Sequence, residues 1–293
     1  DDVAGFTVAQ TDGSTSVAET GTTDTFTVVL TAQPTSNVVL TITSSDTGEA
    51  SVAPSSLTFT PANWNSAQTV TVTGVDENVV DGDQNSNITV AVLDAASDDS
   101  FDDLADQTVS ATTTDNDVAG FTVAQTDGST SVAETGTTDT FTVVLNAQPT
   151  SNVVLLISSS DTGEATVNTP LTFTNANWDT PQTVTVTGVD DDIIDGTITS
   201  TITIAVDDAA SNDSFDNLAD QTVSTSTTDD DVAGFTVVES GGSTSVAETG
   251  TTDTFTVVLN AQPASNVVLL ISSSDTGEAT VNTPFTFSPE NWN

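Results

Sequence analysis

The chain has no lysine, arginine or histidine in 293 residues, and no cysteine, methionine or tyrosine either. At average composition it would carry roughly thirty Lys and Arg. Without them there is no basic patch and no phosphate clamp, which excludes nucleic acid as a partner. Without Cys or His there is no zinc, iron–sulfur or blue-copper site. A Ser-His-Asp triad has no base, and a Schiff base has no amine. No disulfide can staple the fold. No apolar run approaches the roughly 18 residues that a membrane span needs, and an anionic membrane surface would repel the chain. Trypsin-like proteases find no residue to cut beside, which suits an exposed extracellular life. The missing initiator Met reads as a processed chain or an excerpt of a longer one. The chemistry left open is carboxylate-only catalysis or a carboxylate-bound metal.

What is present is acid. Asp and Glu number 43, for a formal net charge of −43. No carboxylate can find a basic side chain, so counter-charge has to come from solution. A dense set of unpaired oxygen ligands fits a hard divalent cation, above all calcium, which takes about six to eight oxygens in flexible geometry. Magnesium ranks second, because it demands a stricter octahedron and keeps its waters. The charge alone would suggest disorder. Against that, 35% of the chain is hydrophobic, much of it in alternating runs, which predicts folded β domains.

The sequence repeats itself. DVAGFTVAQTDGSTSVAETGTTDTFTVVL starts at Asp2 and returns unchanged at Asp117, and a close variant starts at Asp231. The spacing is 115 residues from Phe6 to Phe121 and 114 from Phe121 to Phe235. Three units follow: residues 1–117, 118–231 and an incomplete 232–293. The period is domain-sized, too long for a solenoid coil, and the third unit reads as a window on a longer tandem array.

Period-two alternation predicts strands at Gly5–Gln10, Thr23–Leu30, Val38–Ser44, Leu57–Thr60, Thr69–Val75, Asn87–Leu93 and Thr108–Thr113. Segments rich in Gly, Pro, Asn, Asp and Ser separate them. The fold class is therefore all-β: tandem immunoglobulin-like antiparallel β-sandwiches of about seven strands each. Phe26, Phe59, Val70, Val72, Ile88, Val90 and Val92 are the expected core of the first.

The acids avoid the strand centres. Only Asp12, Glu19, Asp24, Asp46 and Glu49 lie between Val3 and Trp64, and the remainder of the first unit's acids follow Asn65. They gather at Asp76–Asp83, at Asp94–Asp106 and at Asp115–Asp117, with counterparts at Asp190–Asp195, Asp207–Asp220 and Asp229–Asp231. SVAE ending at Glu19, SSDTGEA around Asp46, TVTVTGVDENVVD through Asp76, Glu77 and Asp81, and TTTDND at Asp115 and Asp117 together resemble the Calx-β domain family. The matching residues of the second unit are Glu134, Asp161, Asp190, Asp191, Asp195, Asp229, Asp230 and Asp231. The third retains Glu248 and Asp275. The resemblance implies that these carboxylates converge at one end of each sandwich and bind several calcium ions per complete repeat. Asp81 and Asp195 stand where the family often has Glu, and Asn116 interrupts the closing acidic run.

Other readings are bland beside this one. A solvated acidic surface would also keep the chain soluble. Asp94–Asp106 lacks the Gly at position six and the Glu at position twelve of an EF-hand. Trp64 and Trp178 read as packing residues rather than glycan platforms. Asn87 and Asn212 open N-glycosylation sequons. An enzyme is not expected. The functional expectation is a calcium-stabilised stalk or filament at a microbial cell surface, with neighbouring repeats and identical chains as partners. An adhesive module and a self-assembling fibre or surface layer are the alternatives.

Overall fold

The computed structural model describes residues 3–293. Its first repeat contains β1 (Phe6–Gln10), β2 (Thr15–Ala18), β3 (Thr23–Leu30), β4 (Val38–Ser44) and β5 (Ala50–Ala53). It continues with β6 (Ser56–Phe59), β7 (Gln68–Gly74), the short β8 (Val79–Val80), β9 (Gln84–Val92) and β10 (Gln107–Thr114). Two sheets face each other, one in the order β1-β3-β7-β5 and the other β2-β10-β9-β4-β6. Both are built entirely from strands of this repeat.

Alternation decides the faces. In β3, Phe26, Val28 and Leu30 are buried while their neighbours face outward. They meet Leu40, Ile42, Phe59, Val70, Val72, Ile88, Val90 and Phe101 in one core. Each such side chain contributes about 1.5–3 kcal/mol by leaving water. Of the expected core residues only Val92 is partly exposed, at the end of β9 where the core thins. Trp64 packs on the core edge, and its carbonyl accepts the Leu30 N–H at 3.2 Å.

Three short strands escape the sequence reading, β2 (TSVA), β5 (ASVA) and β8 (VV), because two to four residues carry little periodic signal. The sandwich is also not purely antiparallel. β2 runs parallel to β10, with Ala18 opposite Thr114. That parallel pair sends the ends of both strands to the same edge, which matters for the acids that follow them.

The second repeat repeats the plan. Its strands are β11 (Phe121–Gln125), β12 (Thr130–Ala133), β13 (Thr138–Leu145), β14 (Gln148–Pro149) and β15 (Val153–Ser159). Then come β16 (Ala165–Val167), β17 (Leu171–Phe173), β18 (Gln182–Gly188), β19 (Ile198–Val206) and β20 (Gln221–Thr228). The sheets are β11-β13-β18-β16 and β12-β20-β19-β15-β17, around a separate core.

In the third, β21 (Phe235–Glu239) pairs with β22 (Phe255–Leu259), and β23 (Val267–Leu269) with β24 (Phe285–Phe287). Residues 232–293 contain no counterparts of β18, β19 or β20, so Phe235 is exposed where Phe6 and Phe121 are buried. Among the described residues no helix is long and apolar enough to cross a membrane.

Candidate metal centre

Four chain segments meet at one edge of the first sandwich. Glu19 follows β2, and its N–H donates to the Thr114 carbonyl at 3.2 Å. Glu49 precedes β5, whose first residue Ala50 pairs with Gly74 at the end of β7. Glu77 and Asp81 lie in the loop after β7, tied to Glu49 through the Val75 N–H, which donates to the Glu49 carbonyl at 2.9 Å. Asp115 and Asp117 follow β10. The backbone thus delivers acids that are about a hundred residues apart to a single place.

Their carboxylates form two groups that share Glu19. In Glu19, Glu49, Glu77 and Asp81, and again in Glu19, Asp115 and Asp117, the oxygens lie within 4.8 Å of one another. Glu19 keeps 1% of its surface and Glu49 6%. Glu19 Oε1, Glu49 Oε2, Glu77 Oε1 and Asp117 Oδ2 are buried without a hydrogen-bond partner. Orphaned buried carboxylate oxygens are costly, more so when they face one another and no cation exists in the chain. The donor set is all oxygen and several-fold anionic, and it converges, so the residues present fit calcium.

The second repeat reproduces the arrangement. Glu134, Glu164 and Asp195 form one group, and Glu134, Asp191 and Asp231 another, each within 4.8 Å. Glu164 Oε2 and Asp231 Oδ2 are again buried and unpartnered.

Other acids hold the edge in shape. Asp115 accepts the Gly82 N–H at 2.8 Å and the Asp117 N–H at 2.6 Å. Asp229 accepts from Gly196 at 2.8 Å, Asp231 at 2.7 Å and Asp195 at 3.1 Å. These backbone donors hold the Asp229 carboxyl below the ordinary range. Asp46, Asp161 and Asp275 each accept the N–H two residues on, from Gly48, Gly163 and Gly277, which closes the DTG turn. Those three, with Asp76, Asp190, Asp229 and Asp230, stand outside the close groups. Glu248 and Asp275 are exposed, and no close acidic group forms in the third repeat among the described residues.

Sequence reasoning missed Glu49 and Glu164. Their signal was present, an acid directly before a small strand in GEASVA and GEATV, but β5 had not been recognised, so Glu49 read as a loop acid.

Burial, and then the charges of Glu77, Asp81, Glu19 and Asp46, push the Glu49 carboxyl up to about 7. Burial likewise lifts Glu134 to about 7, against the Asp230 N–H that it accepts. Glu19, Glu77 and Asp117 are raised for the same first reason. A raised folded-state value means that, above the unfolded value near 4.3, the folded chain still holds a proton the unfolded chain has released. Stability of the ion-free protein is therefore expected to fall as pH rises from about 5 to about 8, and a divalent cation held by these groups would displace those protons and remove the slope. Thermal melts in chelator across this range check it; a midpoint that is flat or rises with pH contradicts the electrostatic picture.

The acids at Asp94–Asp106 behave differently. Asp98, 4% exposed, accepts the Thr35 N–H at 2.7 Å, the Thr35 hydroxyl at 2.6 Å, the Ser36 N–H at 2.9 Å and the Ser100 N–H at 3.0 Å. These bonds hold its carboxyl well below the usual range and fasten the β3–β4 connection. Its lone pairs are spent. In the second repeat Asn212 takes its place with a different pattern, Nδ2 donating to the Thr150 hydroxyl at 2.6 Å and Oδ1 accepting the Ser214 N–H at 3.0 Å, so the nitrogen of that sequon is buried and engaged. Asp98→Ala orphans three backbone donors and is expected to cost about 3 kcal/mol, and Asp98→Asn less, because it keeps an acceptor for the Ser100 N–H and a donor for the Thr35 hydroxyl, as Asn212 does. Denaturant titration of the two variants checks the ranking.

No family model matches the chain, and no curated protein matches it. Among solved structures it is similar to the CBD12 region of CALX1.2, at 14% identity and a TM-score of 0.27, covering 68% of this chain and 79% of that one. Domains 4 and 5 of the S-layer protein SbsC give 18% identity and 0.32, covering 78% and 100%. SSP-19, an MSP-domain protein-like family member in Caenorhabditis elegans, gives 19% and 0.24, covering 35% and 92%.

Proposed function

We propose that each complete repeat is a calcium-stabilised β-sandwich and that the chain serves as a structural stalk or filament at a microbial cell surface. One observation carries this reading: Glu19 and Glu49, almost fully buried and each with an unpartnered oxygen, bring carboxylate oxygens within 4.8 Å of each other in a chain without a single basic side chain. Desolvated like charges at that separation repel strongly, and a divalent cation between them turns the repulsion into coordination.

Glu19 would bridge both groups of the first repeat, and Glu134 those of the second. Glu77, Asp81, Asp115 and Asp117 would complete the first set, with Asp191, Asp195 and Asp231 in the second. Asp76, Asp190 and Asp230, exposed and outside the close groups, would bind only through water, while Asp229 accepts the Asp195 N–H and so fixes the loop that carries it. Bound calcium supplies charge neutralisation and cross-links four segments of the sandwich. The function is then mechanical: the acids after β10 directly precede the first strand of the next repeat, so the ions stiffen the join.

The test is Glu19→Gln. In calcium it should lower the melting midpoint of the first repeat and abolish that repeat's response to chelator. In chelator it should be as stable as the parent chain or more so, because a buried like charge has gone. A variant that keeps the full calcium response removes Glu19 from the site and with it this reading.

A further inference from the structure

The loop between β7 and β9 reaches out of its own repeat. β8 (Val79–Val80) runs parallel to β14 (Gln148–Pro149) of the next, with Val79 opposite Gln148 and Val80 opposite Pro149. The Gln148 N–H donates to the Asn78 carbonyl at 2.6 Å, and Val80 packs against the second core. The second junction is built alike. Ile193 makes a parallel bridge to Gln262, whose N–H donates to the Asp192 carbonyl at 2.6 Å.

The receiving edge is the same in all three repeats. It reads Ala-Gln-Pro at 32–34, 147–149 and 261–263. The glutamine side chain anchors it each time at 2.8 Å, donating to the carbonyl of Pro61, Asn175 or Pro289. Coverage differs. Gln148 and Gln262 are half-buried, while Gln33 is exposed, and among the described residues nothing accepts its N–H. Ala32 keeps 7% of its surface against 1% at Ala147.

We propose that the Ala32–Pro34 edge is a docking site for the β7–β9 loop of another repeat of this kind, added as a short parallel strand. The two junctions on view supply the occupant and its register. Donor and acceptor are different surfaces of one repeat, so the contact is heterologous and does not close on itself: it propagates head to tail. Main-chain bonds set the register, and Val80 fills the apolar step over the acceptor. The docking does not rest on the ion reading: if calcium leaves stability untouched and the junction amides are still protected, it stands.

The chain's own amides report it. In calcium buffer, hydrogen exchange followed by NMR on the full chain should leave Gln148 and Gln262 protected and Gln33 fast. Val80→Asp should speed exchange at Gln148 at least tenfold while Phe141, in the core, is unmoved. Equal exchange at Gln33 and Gln148 in the parent chain overturns the junction.

For the open edge, the probe is repeat one alone, residues 3–117, whose sheets and core are self-contained. It carries Gln33→Pro so that it can only donate. Added unlabelled at about 1 mM, the concentration range that a short tether provides within an array, it should shift the Gln33 amide of the labelled full chain and slow its exchange. The same probe with Val80→Asp should do neither. No response to the first probe, or an equal response to both, overturns the proposal.

Discussion

Excess chelator is expected to lower the unfolding midpoints of the two complete repeats by about 15 °C at fixed ionic strength, and added calcium to restore them. A ligand that binds only the folded state stabilises by about 4 kcal/mol at a thousand times its dissociation constant. For a domain near 100 residues, each kcal/mol moves the midpoint by about 4 °C or more. Stripping the ion also leaves Glu19, Glu49, Glu77 and Asp81 facing one another within 4.8 Å. Magnesium should restore much less, since irregular loops do not offer its octahedron and it dehydrates reluctantly. Differential scanning calorimetry with calcium, chelator and chelator plus magnesium reads all three. Indifference to chelator leaves the acids as a solvated surface and removes the stiffening mechanism.

Gly74→Ala and Gly188→Ala are expected to be the most damaging single-methyl changes. A Cβ at Gly74 would collide with the Ala18 carbonyl oxygen, and one at Gly188 with that of Ala133. Neither glycine has a left-handed φ, so the demand is for space. The obstacle is backbone, which cannot rotate aside: β7 must pass close to the end of β2 for Gly74 to donate its N–H to the Thr22 carbonyl at 3.0 Å. Overpacking of this kind costs about 3 kcal/mol or more. Ala18 immediately precedes Glu19, so the shift reaches the acids too. Each variant should therefore lose stability in chelator and lose part of its calcium response. A change below about 0.5 kcal/mol in denaturant titration, the range of ordinary surface substitutions, contradicts the close approach.

The strands that carry strong alternation were legible in the sequence. TDTFTVVL and QTVTVTG announce β3 and β7, and the outward threonines mark the solvent face. The order in which strands pair was not legible. Nothing in TSVA says that it lies parallel to a strand almost a hundred residues later, yet that pairing puts Glu19 beside Asp115 and Asp117. Glu49 was obscured by the shortness of β5. Nor does the sequence show that Asp46 and Asp161 stand outside the close groups, each closing a DTG turn by accepting the N–H of Gly48 or Gly163. Asp98 and Asp94 are likewise indistinguishable as letters, although one is buried with its lone pairs filled. The pair Val79–Val80 carries no signal of its own in the sequence. Its partner lies in another repeat, where a periodicity argument has no reach.

Isothermal titration of calcium into the full chain, set beside the double variant Glu19→Gln, Glu134→Gln, decides the account. The parent should bind at least one ion for each complete repeat, saturably, with release of protons that grows as the pH is lowered toward 6. The double variant should stay folded by circular dichroism and give no such binding. Equal binding in both chains, or none in the parent, would mean that the buried carboxylates do not hold calcium.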